Sequence, residues 1–209
     1  QGGGVGLSMA NWMTEGDPGF DVWGMDNARF GDWATPRYTN SKVRENYGRR
    51  FRITFPNEEL PGAREHMQSP IYDRLDSHNA VWGASYGLEV ALWFQTEGKA
   101  EETVTFRRSN AFEVVAEEVA AVRNGVGMFE ATGYAKYEVA GTGARAWLDG
   151  VLSNNIPGAG RLALTPMLNH QGKIIGDFTV GCLADALGDE RFMIFGSGAA
   201  QQYHERWFR

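Results

Sequence analysis

The chain has 209 residues, 43% of them hydrophobic and 12% aromatic, enough for one large or two modest domains with a substantial core. Its 20 basic and 26 acidic residues leave a net charge of −6, and no run of Lys or Arg is long enough to track phosphates, which argues against a nucleic-acid partner. The single cysteine, Cys182, excludes an intrachain disulfide and fits a reducing compartment, the cytoplasm or an organelle matrix; the four scattered histidines give no metal-ligand spacing, and no run reaches the roughly 20 apolar residues of a membrane span.

The chain opens on "QGGGVGLSMANWMTE". Gly2, Gly3, Gly4 and Gly6 read as a loop feeding a helix over 7–15, with Leu7, Met9, Ala10, Trp12 and Met13 apolar around most of its circumference and therefore buried. Two readings of that loop stand side by side. It is a tight strand-to-helix turn, or it presents free N–H groups and the positive end of the helix dipole to an anion or an electron-rich carbonyl. The absence of an initiating Met, and a final "YHERWFR" that reads as helix, give the expectation of an internal fragment of a longer protein.

A turn-rich segment follows, and "SKVRENYGRRFRITFP" reads as a short helix running into a strand that Pro56 ends. Residues 57–70 read as loop, and "AVWGASYGLEVALWF" as strand. The polar, glycine-interrupted "QTEGKAEETV" marks the expected boundary. Beyond it, Val115, Val119 and Val122 share one face of an amphipathic helix that ends at Asn124 and Gly125. "YAKYEV" reads as strand and "ARAWLDGVLSN" as helix. "RLALTPML", "KIIGDFTVGCL" and "RFMIF" read as strands, the first two joined by an "NHQG" hairpin turn. Phe178, Val180 and Cys182 share one strand face, which makes Cys182 a small core residue.

"GTGARA" at 141–146 fits the glycine pattern of a dinucleotide fingerprint, but the ribose-binding acid expected about 20 residues on is missing, so it reads as a plain turn. Asp177 is the anomaly of the sequence. It interrupts an apolar strand, and on strict alternation shares a face with Ile175 and Thr179. It is either a hydrated edge-strand acid or a carboxylate lining a cavity to bind an N–H-rich ring or manage a proton.

Two stretches, "AVRNGVGMFEATGYAKYEVAGTGARAWLDGVLSNNI" and "LTPMLNHQGKIIGDFTV", resemble the folate-binding aminomethyltransferase domain of the glycine-cleavage family. "GGGVGLSMANWMTEGDPGFDVWGMDNARF" and "SPIYDRL" resemble the end of the flavin-containing amine oxidoreductases joined to such a domain, of the dimethylglycine and sarcosine dehydrogenase type. The resemblance implies an α+β chain: residues 1–34 end a FAD-binding domain, 35–103 form a linking domain, and 104–209 begin the folate-binding domain, with antiparallel strands and packed helices. It implies FAD and tetrahydrofolate as cofactors and an N-methylated amino acid as substrate. Gly3, Gly4, Val5 and Gly6 match the loop that touches the flavin, and Asp177 matches the acid that faces folate in positioning or proton transfer. Gly176 stands where many plain aminomethyltransferases carry a first acid, Leu164 where they carry a Tyr, and Glu130 at the acid of their acid-Val-Ser-His run. These departures favour the oxidoreductase branch; the alternatives are an aminomethyltransferase without flavin oxidation and an inert fragment. Asn154 matches a family Asn, which helix capping explains equally well.

Overall fold

The computed structural model describes residues 2–184 and 190–209. Helix α1 (Gly2–Glu15) takes in all four leading glycines, so the expected loop is the first part of the helix instead. Its apolar side chains are not buried: Leu7 is 60% and Met13 81% exposed. A glycine has no Cβ to resist whichever backbone its neighbours impose, and here the helix of residues 7–15 continues backwards through it. Two 3₁₀ turns, Trp23–Met25 and Asn27–Arg29, lead to α2 (Pro36–Gly48). That helix starts earlier than its apolar pattern indicates, because Thr35 Oγ1 accepts from the Tyr38 N–H at 3.3 Å and Pro36 sits in the first turn. The strand expected in "RRFRITF" does not form. Arg52 N–H closes a turn onto the Arg49 carbonyl at 2.9 Å, the Arg49 guanidinium pairs with Glu58, and Phe51 stands exposed.

Short helix α3 (Tyr72–Ser77) precedes an antiparallel hairpin, β1 (Ala80–Ser85) and β2 (Leu88–Phe94). Then come α4 (Ala111–Asn124), β3 (Ala135–Ala140), α5 (Ala144–Val151), β4 (Leu162–Leu168), β5 (Ile174–Ala184), β6 (Glu190–Gly196) and α6 (Gln201–Phe208). Strands β3 to β6 form one antiparallel sheet in the order β3-β6-β5-β4. In the β4–β5 hairpin, Asn169 Oδ1 accepts from Gln171 and Lys173 N–H, both at 2.9 Å. The "GTGARA" segment is the β3-to-α5 turn; Gly143 caps α5 at φ 91°, in the left-handed region that glycine tolerates.

Helices α5 and α6 cover one face of this sheet. The core between them contains Leu148, Phe178, Val180, Phe192 and Ile194, all fully buried, with Cys182 among them as expected. His204 of α6 is 2% exposed; its ring packs edge-on to Phe178 at 4.7 Å, and its Nδ1 lies 3.1 Å from the Tyr137 hydroxyl. Burial pulls the His204 pKa below its ordinary 6.5. Burial, reinforced by the charge of Glu205, pushes the Tyr137 hydroxyl up.

Among the places where the first 70 residues are fastened to the rest, two combine charge or aromatic stacking with hydrogen bonds. Arg64 Nε donates to Glu89 Oε1 at 2.9 Å, its Nη2 donates to Oε2, and its Nη1 reaches the Trp82 carbonyl at 3.3 Å. The Glu89 side chain is only 1% exposed, and Met67 bridges to both Gly87 and Glu89 through the backbone. At the second place, Trp23 packs on Tyr203 with ring centroids 5.0 Å apart, and Arg206 stacks over Trp23 while pairing with Asp26 at 3.7 Å.

Arg64→Met strands the Glu89 carboxylate in the interior and should cost about 3 kcal/mol in urea unfolding; a loss under about 1 kcal/mol would mean that water reaches Glu89. His204 gives a pH dependence. The unfolded chain takes up its histidine proton at higher pH than the native protein does, so stability is whole above about pH 6.5, falls as pH drops through that value, and levels once native His204 is charged. Denaturation at about pH 7.5 and about pH 5.5 measures this slope, which His204→Asn should flatten.

Candidate functional site

The face of the sheet away from α5 and α6 opens into a cavity of about 1450 Å³. Its walls come from β2, from α4, from the segment 127–134 that follows it, and from the sheet itself. Most of the lining is apolar. Two valines of α4, Val119 and Val122, are turned to this hollow rather than packed: they line it and stand 47% and 62% exposed. Glu118 Oε1, on the same helix, accepts from the Phe94 N–H at 3.2 Å and ties α4 to the end of β2.

Asp177 is exposed on the cavity wall, with Thr179 two residues along the strand and Leu164 and Phe195 on the neighbouring strands. Ile175 does not share its face. Met167 pairs with Gly176 while Leu168 pairs with Ile174, so Ile175 has no partner across β4 and is buried at 8% exposure. This bulge resets the alternation. Downstream of it Phe178, Val180 and Cys182 point to the core, and Asp177 and Thr179 point to the hollow. Gly176 is fixed by the other face: a Cβ there would overlap the Phe178 ring and come 3.0 Å from His204 Nε2.

Gly3, Gly4, Val5 and Gly6 lie on α1, and none of them lines the cavity. A Cβ added at Gly3, Gly4 or Gly6 would meet nothing within 4 Å, so their lack of side chains answers no contact inside this chain. Leu164 and Glu130 are both on the cavity lining. Asn154 caps no helix. Its Nδ2 donates to the Leu164 carbonyl at 3.0 Å and its own N–H to Thr165 Oγ1 at 3.0 Å, which pins the chain after α5 along β4.

Sequence reasoning overlooked Lys136. It lines the cavity, and its ammonium donates to three carbonyls, those of Ala131 at 3.0 Å, Thr132 at 3.2 Å and Tyr134 at 2.8 Å. The only sequence signal was its place opposite Tyr137 in a strand. It also overlooked a clasp behind the sheet, where Arg145 meets the Glu190 carboxylate through Nε at 2.7 Å and Nη2 at 2.6 Å and reaches the Ile156 and Pro157 carbonyls. The hydrogen bond from Arg145 holds the Glu190 carboxyl below the usual range, and burial pushes the adjacent Cys182 thiol up, away from the reactive thiolate.

Helices on one face of an antiparallel sheet and a mostly apolar hollow on the other, with Asp177 projecting from the sheet into it, define an α+β domain, not a parallel dinucleotide-binding fold. The chain belongs to the family described as the GCVT N-terminal domain, whose model matches residues 71–209. A second model, the FAD dependent oxidoreductase central domain, matches residues 15–69. The two meet at residue 70, ahead of the β1–β2 hairpin, whereas the polar stretch 95–104 falls after it.

Among curated proteins, the chain is 32% identical over 208 residues to human dimethylglycine dehydrogenase, mitochondrial, covering 98% of this chain and 23% of that protein. It is 31% identical over 202 residues to 4-methylaminobutanoate oxidase (formaldehyde-forming) of Paenarthrobacter nicotinovorans, covering 95% and 24%. It is 29% identical over 211 residues to the mouse pyruvate dehydrogenase phosphatase regulatory subunit, mitochondrial, covering 97% and 24%. The chain thus spans about a quarter of the length of the curated relatives it matches.

Gly176→Asp should destabilise the protein by about 3 kcal/mol or more, since it overpacks Phe178 and buries a carboxylate beside a neutral histidine. A melting temperature within a degree or so of the parent would show that the Phe178 ring can move aside.

Proposed function

We propose that the chain is part of a flavin-dependent enzyme that oxidatively demethylates an N-methylated amino acid of the dimethylglycine or sarcosine type and passes the one-carbon unit to tetrahydrofolate. The observation that carries this reading is the succession in one chain of a segment matched by an FAD dependent oxidoreductase domain and one matched by the GCVT domain. Arg64–Glu89 and the Trp23–Tyr203 seam hold the two together. Joining the sites keeps a reactive one-carbon intermediate near its acceptor.

When bound, FAD would supply the two-electron oxidation of the N-methyl group, and tetrahydrofolate the nitrogens that take up the carbon. The cavity suits folate: it is large, mostly apolar for a flat ring system, and carries Asp177 on its wall. There the carboxylate would hold an N–H edge or move a proton at the nitrogen receiving the carbon. For the flavin, this chain would offer the N-terminal turn of α1, where the first N–H groups have no intrahelical partner. The missing side chains at Gly3, Gly4 and Gly6 leave that surface open to a ring, with Val5 exposed among them. The setting is a reducing compartment, the cytoplasm or, in a eukaryote, the mitochondrial matrix, the organelle in the names of the human and mouse relatives.

The similarity to a phosphatase regulatory subunit favours one second reading, a chain of the same build that does not oxidise amines. The visible spectrum of the full-length protein separates the two. A flavin band that bleaches with dimethylglycine or sarcosine supports oxidation, and a folded protein without the band that still binds tetrahydrofolate supports a transferase or regulatory role. In the full-length enzyme, Asp177→Ala should lower formation of methylene-tetrahydrofolate about a hundredfold while formaldehyde is still released. Equal loss of both products, or of neither, would remove Asp177 from the folate step.

A further inference from the structure

We propose that Lys136 is a positioning residue for the ligand of this cavity: its ammonium is a built-in cation that gathers three backbone carbonyls and so fixes the wall beside Asp177. The nature of the ligand rests on the folate reading above; the holding of the wall does not.

The stoichiometry is the first argument. A lysine ammonium has three N–H donors and no acceptor, and Lys136 meets three carbonyl oxygens, all within 3.2 Å. No donor is left over for a substrate carboxylate, so Lys136 acts on the wall and does not read the ligand. Lys136 is exposed, so its ammonium has water within reach and turns to the carbonyls instead. The second argument is electrostatic. The Ala131, Thr132 and Tyr134 carbonyls aim the negative ends of their dipoles at one point, an arrangement that repels itself unless a positive charge sits there. The cation comes from the adjoining strand of the same chain.

The third argument is location. Ala131, Gly133 and Tyr134 line the cavity, as do Ser197, Gly198 and Ala199 of the β6-to-α6 connection. The two segments touch: a Cβ on Gly198 would overlap the Gly133 carbonyl oxygen, the one carbonyl of the 131–134 turn that Lys136 leaves free. Lys136 itself pairs with Phe195, which pairs with Thr179 of the Asp177 strand. A turn released from the ammonium would therefore shift the surface that faces the carboxylate.

The test uses Lys136→Met and Lys136→Arg in the full-length protein. Hydrogen exchange is read at the Tyr134 amide, which bonds the Ala131 carbonyl at 3.3 Å, and tetrahydrofolate is titrated in parallel. Lys136→Met should speed exchange at Tyr134 about tenfold. It should also raise the KM for tetrahydrofolate about tenfold with a much smaller change in kcat. Lys136→Arg should resemble Lys136→Met, because a planar guanidinium cannot aim three donors in a tripod. Unchanged exchange overturns the proposal. Faster exchange with unchanged folate affinity also overturns it, leaving Lys136 as a structural lysine. If the unsubstituted protein binds no tetrahydrofolate, the folate reading falls and exchange at Tyr134 alone decides whether Lys136 holds the wall.

Discussion

Phe178 lies across two strands at once. Its ring covers the backbone of Gly176 and Gly196, meets His204 edge-on and packs against Phe208, with no surface left to solvent. That one packing arrangement sets both faces of the sheet. On the inner face it draws α6 down and forbids side chains at two strand positions. Because successive strand residues point to opposite sides, anchoring Phe178 inward also points Asp177 and Thr179 outward into the hollow. The candidate site therefore inherits its geometry from the core behind it.

The connection between the two matched segments has a different character. Arg64 and Glu89 form a charged, largely buried pair where a hydrophobic contact of similar size would often be at least as stable. What the pair adds is orientation: a guanidinium that donates to both carboxylate oxygens and a carbonyl is satisfied in one arrangement. The aromatic seam from Trp23 to Tyr203 supplies area without such direction. Together they set how the segment before residue 70 approaches the sheet.

Much of the sheet domain was legible because its signals are local. The Asn169 to Lys173 turn, the alternation at Phe178, Val180 and Cys182, and the helix over 144–151 each follow from a few neighbouring residues. Asp177 stood out as a lone charge in an apolar strand. The failures share a cause: a pattern states that a face is apolar but not whether anything will cover it. Helix α1 and the valines of α4 are amphipathic or apolar in sequence and exposed in this chain, and "RRFRITF" alternates without a strand to pair with. Lys136 was illegible for another reason. Its partners are backbone carbonyls, which every residue has, so no choice of side chain advertises them.

The bulge at Ile175 has a consequence for how such a chain can change over time. The β4–β5 turn lies only a few residues ahead of Asp177, and in a regular hairpin each residue gained or lost at the tip would flip the carboxylate to the wrong side of the sheet. Here an unpaired residue stands between the tip and the segment locked by Phe178. It acts as a slip joint, at which odd changes in length can be absorbed. The loop is thereby free to vary in sequence and size while the acid two residues past the joint keeps its aim.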